Sequence, residues 1–98
     1  MLLPKEITLF NQKIKIIKSR TLLSRTGMFG ECDFNKHKIY IQQSTRKHKI
    51  TEEQLSLTLD HEVLHMILYL SGYDKLMYDE IFINTVSGLL NQYINQRK

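Results

Sequence analysis

The chain has no tryptophan, one proline, one cysteine and four glycines among its 98 residues. A single cysteine, Cys32, excludes an internal disulfide framework and any all-cysteine metal site. So little proline and glycine excludes a linker or a low-complexity chain. Long apolar runs are missing as well. The longest, Val63 to Leu70, is interrupted by His65 and falls far short of the ~20 residues a membrane span needs. No basic leader precedes an apolar run at the N-terminus, so no secretory signal is expected. The expected setting is the cytoplasm, with Cys32 as a reduced thiol. What is present is the ordinary balance of a globular protein, 42% hydrophobic and 24% charged. This length predicts one domain, over residues 1–98.

Charge is distributed unevenly. The chain carries +4 overall, with a pI of about 9.3. Residues 1–50 hold eleven Lys or Arg against three acids, and residues 51–98 hold three against seven. A basic half is one way to meet nucleic acid. Here the cations alternate with Ile and are not interleaved with stacking aromatics, which favours a solvated sheet face.

The first half carries strand signals. Ile7–Phe10 and Lys13–Ile17 flank Asn11-Gln12, which reads as a hairpin with Ile14 and Ile16 on one face. Thr21-Leu22-Leu23 extends that sheet or leads into a loop. Glu31–Phe34 and His37–Gln42 flank Asn35-Lys36 and read as a second hairpin, with Cys32, Phe34, Ile39 and Ile41 in the core. After a basic connector, Thr51 and Gln54 match a capping box. Helical periodicity runs on to about Leu70, and Ser71-Gly72 stops it. A second helix starts within Asp74–Asp79 and runs to about Asn95. Its apolar stripe is Phe82, Ile83, Val86, Leu89, Leu90, Tyr93 and Ile94. The expected fold is α+β: a small antiparallel or mixed sheet over residues 6–43, then two packed helices near 51–71 and 75–95.

The first helix contains His61-Glu62-Val63-Leu64-His65. Histidines four apart on a helix stand one turn above each other, so both imidazoles can reach one ion. Glu62 lies about 100° round the helix from His61, within reach of a water on that ion. This is the H-E-x-x-H arrangement of metallopeptidases. Zinc suits two imidazoles and an oxygen donor, with a fourth position left for water. Glu62 is then the general base for that water.

A third ligand is needed. Position 68 is Leu and position 71 is Ser, so the motif does not extend to a third histidine. A helix returning antiparallel reaches the depth of His65 near Glu80, with Asp79 its acidic rival. Glu80 has the longer reach. Asp79 makes a good N-cap, or an acceptor for an imidazole N–H. Among tyrosines that could stabilise an oxyanion, Tyr69 is one turn beyond His65, and Tyr73 and Tyr78 lie nearby. Each also suits plain packing. Cys32 reads as a small buried strand residue, and capping of the ion by its thiolate is the weaker alternative.

With these residues in place, the chain resembles the small phage- and prophage-encoded metallopeptidases, minimal zincins of the glutamate-ligand kind. The resemblance runs through Leu3-Pro4-Lys5-Glu6-Ile7, Gly30 to Asp33, Lys38-Ile39-Tyr40-Ile41, Leu59 to His65, Gly72 and Glu80-Ile81-Phe82-Ile83. Only the H-E-x-x-H portion is specific. The resemblance implies zinc held by His61, His65 and Glu80, with Glu62 as base and a peptide or protein as substrate. It also implies that a sheet-edge strand, placed in Lys38–Gln42, binds an extended peptide by strand addition. Asp60 departs from the pattern, where an apolar residue is usual, and reads as a solvent-facing edge. Two other readings stand beside this one: a non-catalytic metal-binding accessory protein, and a nucleic-acid-binding module using the basic half.

Overall fold

Ile14 and Ile16 are buried, while Lys13 and Lys15 are exposed, as a period of two requires. They belong to a four-stranded sheet in the computed structural model of the chain, which describes residues 3–97. The single-domain expectation also covers Met1, Leu2 and Lys98, which lie outside the described residues. The elements are β1 (Glu6–Leu9), β2 (Gln12–Ser19), α1 (Leu22–Thr26), β3 (Gly30–Asp33), β4 (Lys38–Gln42), α2 (Glu52–Leu70), α3 (Asp74–Met77) and α4 (Glu80–Gln96). The strand order is β1-β2-β4-β3, with β2 and β4 parallel and the other pairs antiparallel. This is the expected α+β fold, a mixed sheet followed by two long packed helices.

α2 holds the molecule together because it is packed from two sides. Leu59 and Met66 join Ile14, Ile16, Ile39 and Ile41 of the sheet in one core cluster. Leu64 and Leu68, on the other side of the helix, join Met77 and Ile83 in a second. Burying each such side chain contributes about 1.5–3 kcal/mol. Two-sided packing explains why apolar residues run nearly all round this helix. Its start is the expected capping box: Thr51 Oγ1 accepts from the Gln54 N–H at 3.1 Å, and Gln54 Oε1 accepts from the Thr51 N–H at 3.1 Å.

Several local expectations are corrected. The first hairpin turns at Phe10-Asn11, both at positive φ (50° and 61°), with Leu9 opposite Gln12. A one-residue move of the loop shifts the register by two, which leaves every side chain on its own face, so alternation cannot distinguish the choices. Asn11 tolerates the left-handed region that such a turn demands. The second hairpin has a four-residue loop, Phe34–His37, where Asp33 Oδ1 accepts from the Lys36 N–H at 3.2 Å. Leu22 and Leu23 neither extend the sheet nor form a loop. They open α1, anchored by a 2.8 Å bond from the Leu23 N–H to the buried Gln42 Oε1 and ended by Gly27 at φ 75°. The second helix is preceded by the short α3, and it begins where Asp79 Oδ1 accepts from the Phe82 N–H at 3.1 Å.

Two corrections matter more for function. Lys38–Gln42 is not an edge: β4 lies between β2 and β3, and β1 and β3 are the outer strands. Local hairpin reading cannot see the parallel β2–β4 pairing that encloses it. The stripe on α4 is only half used. Phe82, Ile83 and Val86 pack into the second cluster, but Leu89, Leu90, Tyr93 and Ile94 remain 43–62% exposed.

The register also disposes the sheet's charges. On the outward face, Glu6 stands opposite Lys15, Lys15 beside Lys38, and Lys38 opposite Asp33. The two central cations are thus flanked by a carboxylate on each side.

Candidate metal centre

His61 and His65 come from the middle of α2, on the side facing the start of α4. Their rings stand edge to face, 5.0 Å apart. Glu80, the first residue of α4, reaches both: Oε2 lies 3.5 Å from His61 Nε2, and Oε1 lies 3.2 Å from His65 Nε2. Together His61, His65 and Glu80 form a group that can hold a metal ion. One donor atom from each residue lies within 4.8 Å of the others, so modest side-chain adjustment brings all three within the ~2.0–2.2 Å of a shared ion. No fourth residue belongs to the group among the described residues.

The protonation state of His61 suits such a group. Burial and the neighbouring His65 push the His61 pKa down, against the opposing pull of Glu80 and a hydrogen bond with Asn84. A neutral imidazole offers a lone pair, which a protonated one does not. Asn84 was not foreseen, yet it stands four residues after Glu80. The i,i+4 spacing that pairs His61 with His65 pairs Glu80 with Asn84 on the facing helix, and that spacing was the available signal.

Glu62 lies beside this group, buried to 7% exposure. Burial is the chief reason its pKa is pushed up to about 7. The two carboxylate oxygens differ. Oε1 accepts from the Cys32 thiol at 3.4 Å, and the same thiol lies 3.2 Å from the Glu62 backbone carbonyl. Oε2 is 4.0 Å from His61 Nε2. Cys32 therefore orients Glu62 and is not part of the metal-holding group. Its own pKa is driven up by burial and by Glu62, so the sulfur stays a thiol. Gly30 makes this closeness possible. A Cβ there would sit 2.8 Å from Glu62 Cγ and from Thr58 Cγ2. β3 can approach α2 this tightly only without a side chain at that position.

The remaining expected residues lie elsewhere. Asp79 is the N-cap of α4 and shows no bond to either histidine. Tyr69 turns away from the metal group and stacks on Phe34, ring centroids 4.8 Å apart. Four residues advance a helix by about 40° and ~6 Å, which carries Tyr69 toward the β3–β4 loop. Tyr78, 75% exposed, is the tyrosine that lines the cleft over the metal group. Asp60 is not a solvent edge: its Oδ2 accepts from Asn91 Nδ2 at 2.9 Å, and the same amide donates to Ser56 Oγ at 2.8 Å. This bond ties α2 to α4. His37 lies in the β3–β4 loop, and His48 bonds Ser24, so neither joins the group.

No family model, curated protein or solved structure matches this chain. No helix among the described residues is long and apolar enough to cross a membrane.

Proposed function

We propose that this chain is a zinc-dependent metallopeptidase. The observation that carries the reading is the convergence of His61, His65 and Glu80 with a buried Glu62 alongside, at the floor of an open cleft. Three donors from one group leave a fourth position for water or substrate, the arrangement of catalytic rather than structural zinc sites. When bound there, zinc supplies Lewis acidity and lowers the pKa of a bound water toward 7.

The chain's own residues supply the rest. Glu62 would accept the water's proton through Oε2, the oxygen 4.0 Å from His61 Nε2, since the Cys32 thiol lies against Oε1. A cation beside Glu62 favours its ionised, proton-accepting form, offsetting the effect of burial. The strand available for an extended substrate is β3, the edge strand beside α2, in place of β4. A peptide added to its free edge would lie along the cleft. The basic half gives weaker support to nucleic-acid binding, because Lys15 and Lys38 sit between Glu6 and Asp33 across the sheet.

The test combines metal content with turnover. Purified protein given zinc is expected to hold about one ion per chain and to cleave peptides, and Glu62→Gln should keep the ion and lose hydrolysis by at least ~100-fold. No bound zinc, or unchanged turnover in Glu62→Gln, would overturn the reading.

A further inference from the structure

We propose that the cleft selects an internal, extended stretch of polypeptide carrying bulky apolar side chains, and disfavours acidic residues and free C-termini. This rests on the peptidase reading, and it concerns what the cleft recognises. The cleft, about 900 Å³, has the size of a true ligand site.

Its walls are apolar at both ends. Gly30 lies against Thr58 and Glu62, while Phe34 stacks on Tyr69. β3 and α2 therefore run alongside in the same direction. Met28, Phe29 and Leu57 lie toward the N-terminal end of α2. Phe34, Met77 and Tyr78 lie toward its C-terminal end, with the metal group between. Met28, Phe29, Leu57 and Tyr78 keep 42–75% exposure. A single exposed apolar side chain needs no explanation, but four converging on one concavity over a candidate reaction centre mark a binding surface. At the N-terminal end the exposed Met28 gives a wall that adapts to differing side chains. Apolar contacts on both sides of the centre suit a segment that continues in both directions.

Charge narrows the occupant. The charged lining consists of Glu31, Glu62 and Glu80, with no Lys or Arg. An acidic side chain set against the apolar ends would be desolvated with no Lys or Arg in the lining to receive it, and a chain that ended at the metal group would forgo the apolar contacts beyond it. A terminal amine gains little either. Glu62 and Glu80 are engaged by the Cys32 thiol and the histidines. Glu31, which also lines the cleft, alternates with Gly30 and Cys32 along β3 and so stands on the strand's other face.

The experiment uses zinc-loaded Glu62→Gln protein and fluorescent nonapeptides, read by anisotropy. One peptide carries Leu-Phe at its centre, one carries Asp-Asp there, and one places Leu-Phe at a free C-terminus. The first is expected to bind about 10-fold or more tighter than the others, the scale of one well-filled apolar pocket. Phe29→Ser with Tyr78→Ser should erase most of that difference while zinc content stays the same. Equal affinities, tighter binding of the acidic or C-terminal peptide, or no binding of any of them would overturn the proposal. If the central Leu-Phe peptide is preferred but wild type does not cleave it, the peptidase reading falls and the selectivity stands. If wild type cleaves all three peptides alike, the selectivity falls and the peptidase reading stands.

Discussion

His61 and His65 come from a helix packed on two sides, whereas Glu80 begins a helix whose apolar stripe joins the core over only its first half. The α2 wall is closed. Leu59 and Met66 press on the sheet, Leu64 and Leu68 on the second cluster, and β3 comes close enough that Gly30 has no room for a side chain. The α4 wall is open. Glu80 is 61% exposed, and Leu89, Leu90, Tyr93 and Ile94 keep 43–62% of their surface exposed. Asp79 and the Asn91–Asp60 bond set that helix in place. A rigid wall can hold two imidazoles and a base in register. A looser one can carry the ligand whose position tolerates adjustment.

Substitutions can break or sharpen this contrast. The largest effect is expected on the closed wall: His61→Ala or His65→Ala should abolish stoichiometric metal, weakening affinity by more than ~100-fold, as measured by competition with a chelator. Glu80→Ala, on the open wall, should weaken it by about 10–100-fold. Asp79→Ala should instead cost about 1 kcal/mol of stability through the lost cap and leave metal content near wild type. Equal metal loss in Glu80→Ala and Asp79→Ala would remove the distinction between ligand and cap.

The two glycines lining the cleft give a direct comparison. Gly30→Ala forces a Cβ against Glu62 and Thr58 and should destabilise by about 1–3 kcal/mol in denaturant unfolding. Gly88→Ala meets nothing within 4 Å in the middle of α4 and should stabilise by about 0.5–1 kcal/mol. The same sign for both would mean that the walls do not differ. The smallest effect belongs to the exposed stripe. Leu89→Lys should change stability by no more than about 0.5 kcal/mol, and a larger loss would show that this face is covered in solution.

Much of the fold was legible because it rests on local rules. Thr51 and Gln54 announce the start of α2, Ser71-Gly72 its end, and the Ile–Lys alternation the inward face of β2. His61, Glu62 and His65 were legible because helical spacing alone sets them side by side. Glu80 was legible as a candidate through its depth along a returning helix, but its rivalry with Asp79 was not resolved by periodicity. The contacts of Cys32 with Glu62 and of Asn84 with His61 were not legible, since each joins residues of different elements; for Asn84 only its spacing from Glu80 pointed toward the group. Tyr69 was misplaced for a related reason: its helical position is known, but not that Phe34 waits for it on the β3–β4 loop.

The sequence by itself determined which side chains share a helix or strand face, where the long helices begin and end, and which residues offer metal donors. These follow from short-range geometry and capping, which act within a few residues. The tertiary structure alone decided that β4 lies inside the sheet and β3 at its edge. It alone brought Glu80, not Asp79, between the histidines, and left half of the α4 stripe uncovered. Those outcomes depend on the parallel β2–β4 pairing and on the packing of Met77 and Ile83 against Leu64 and Leu68, both contacts between residues distant in sequence.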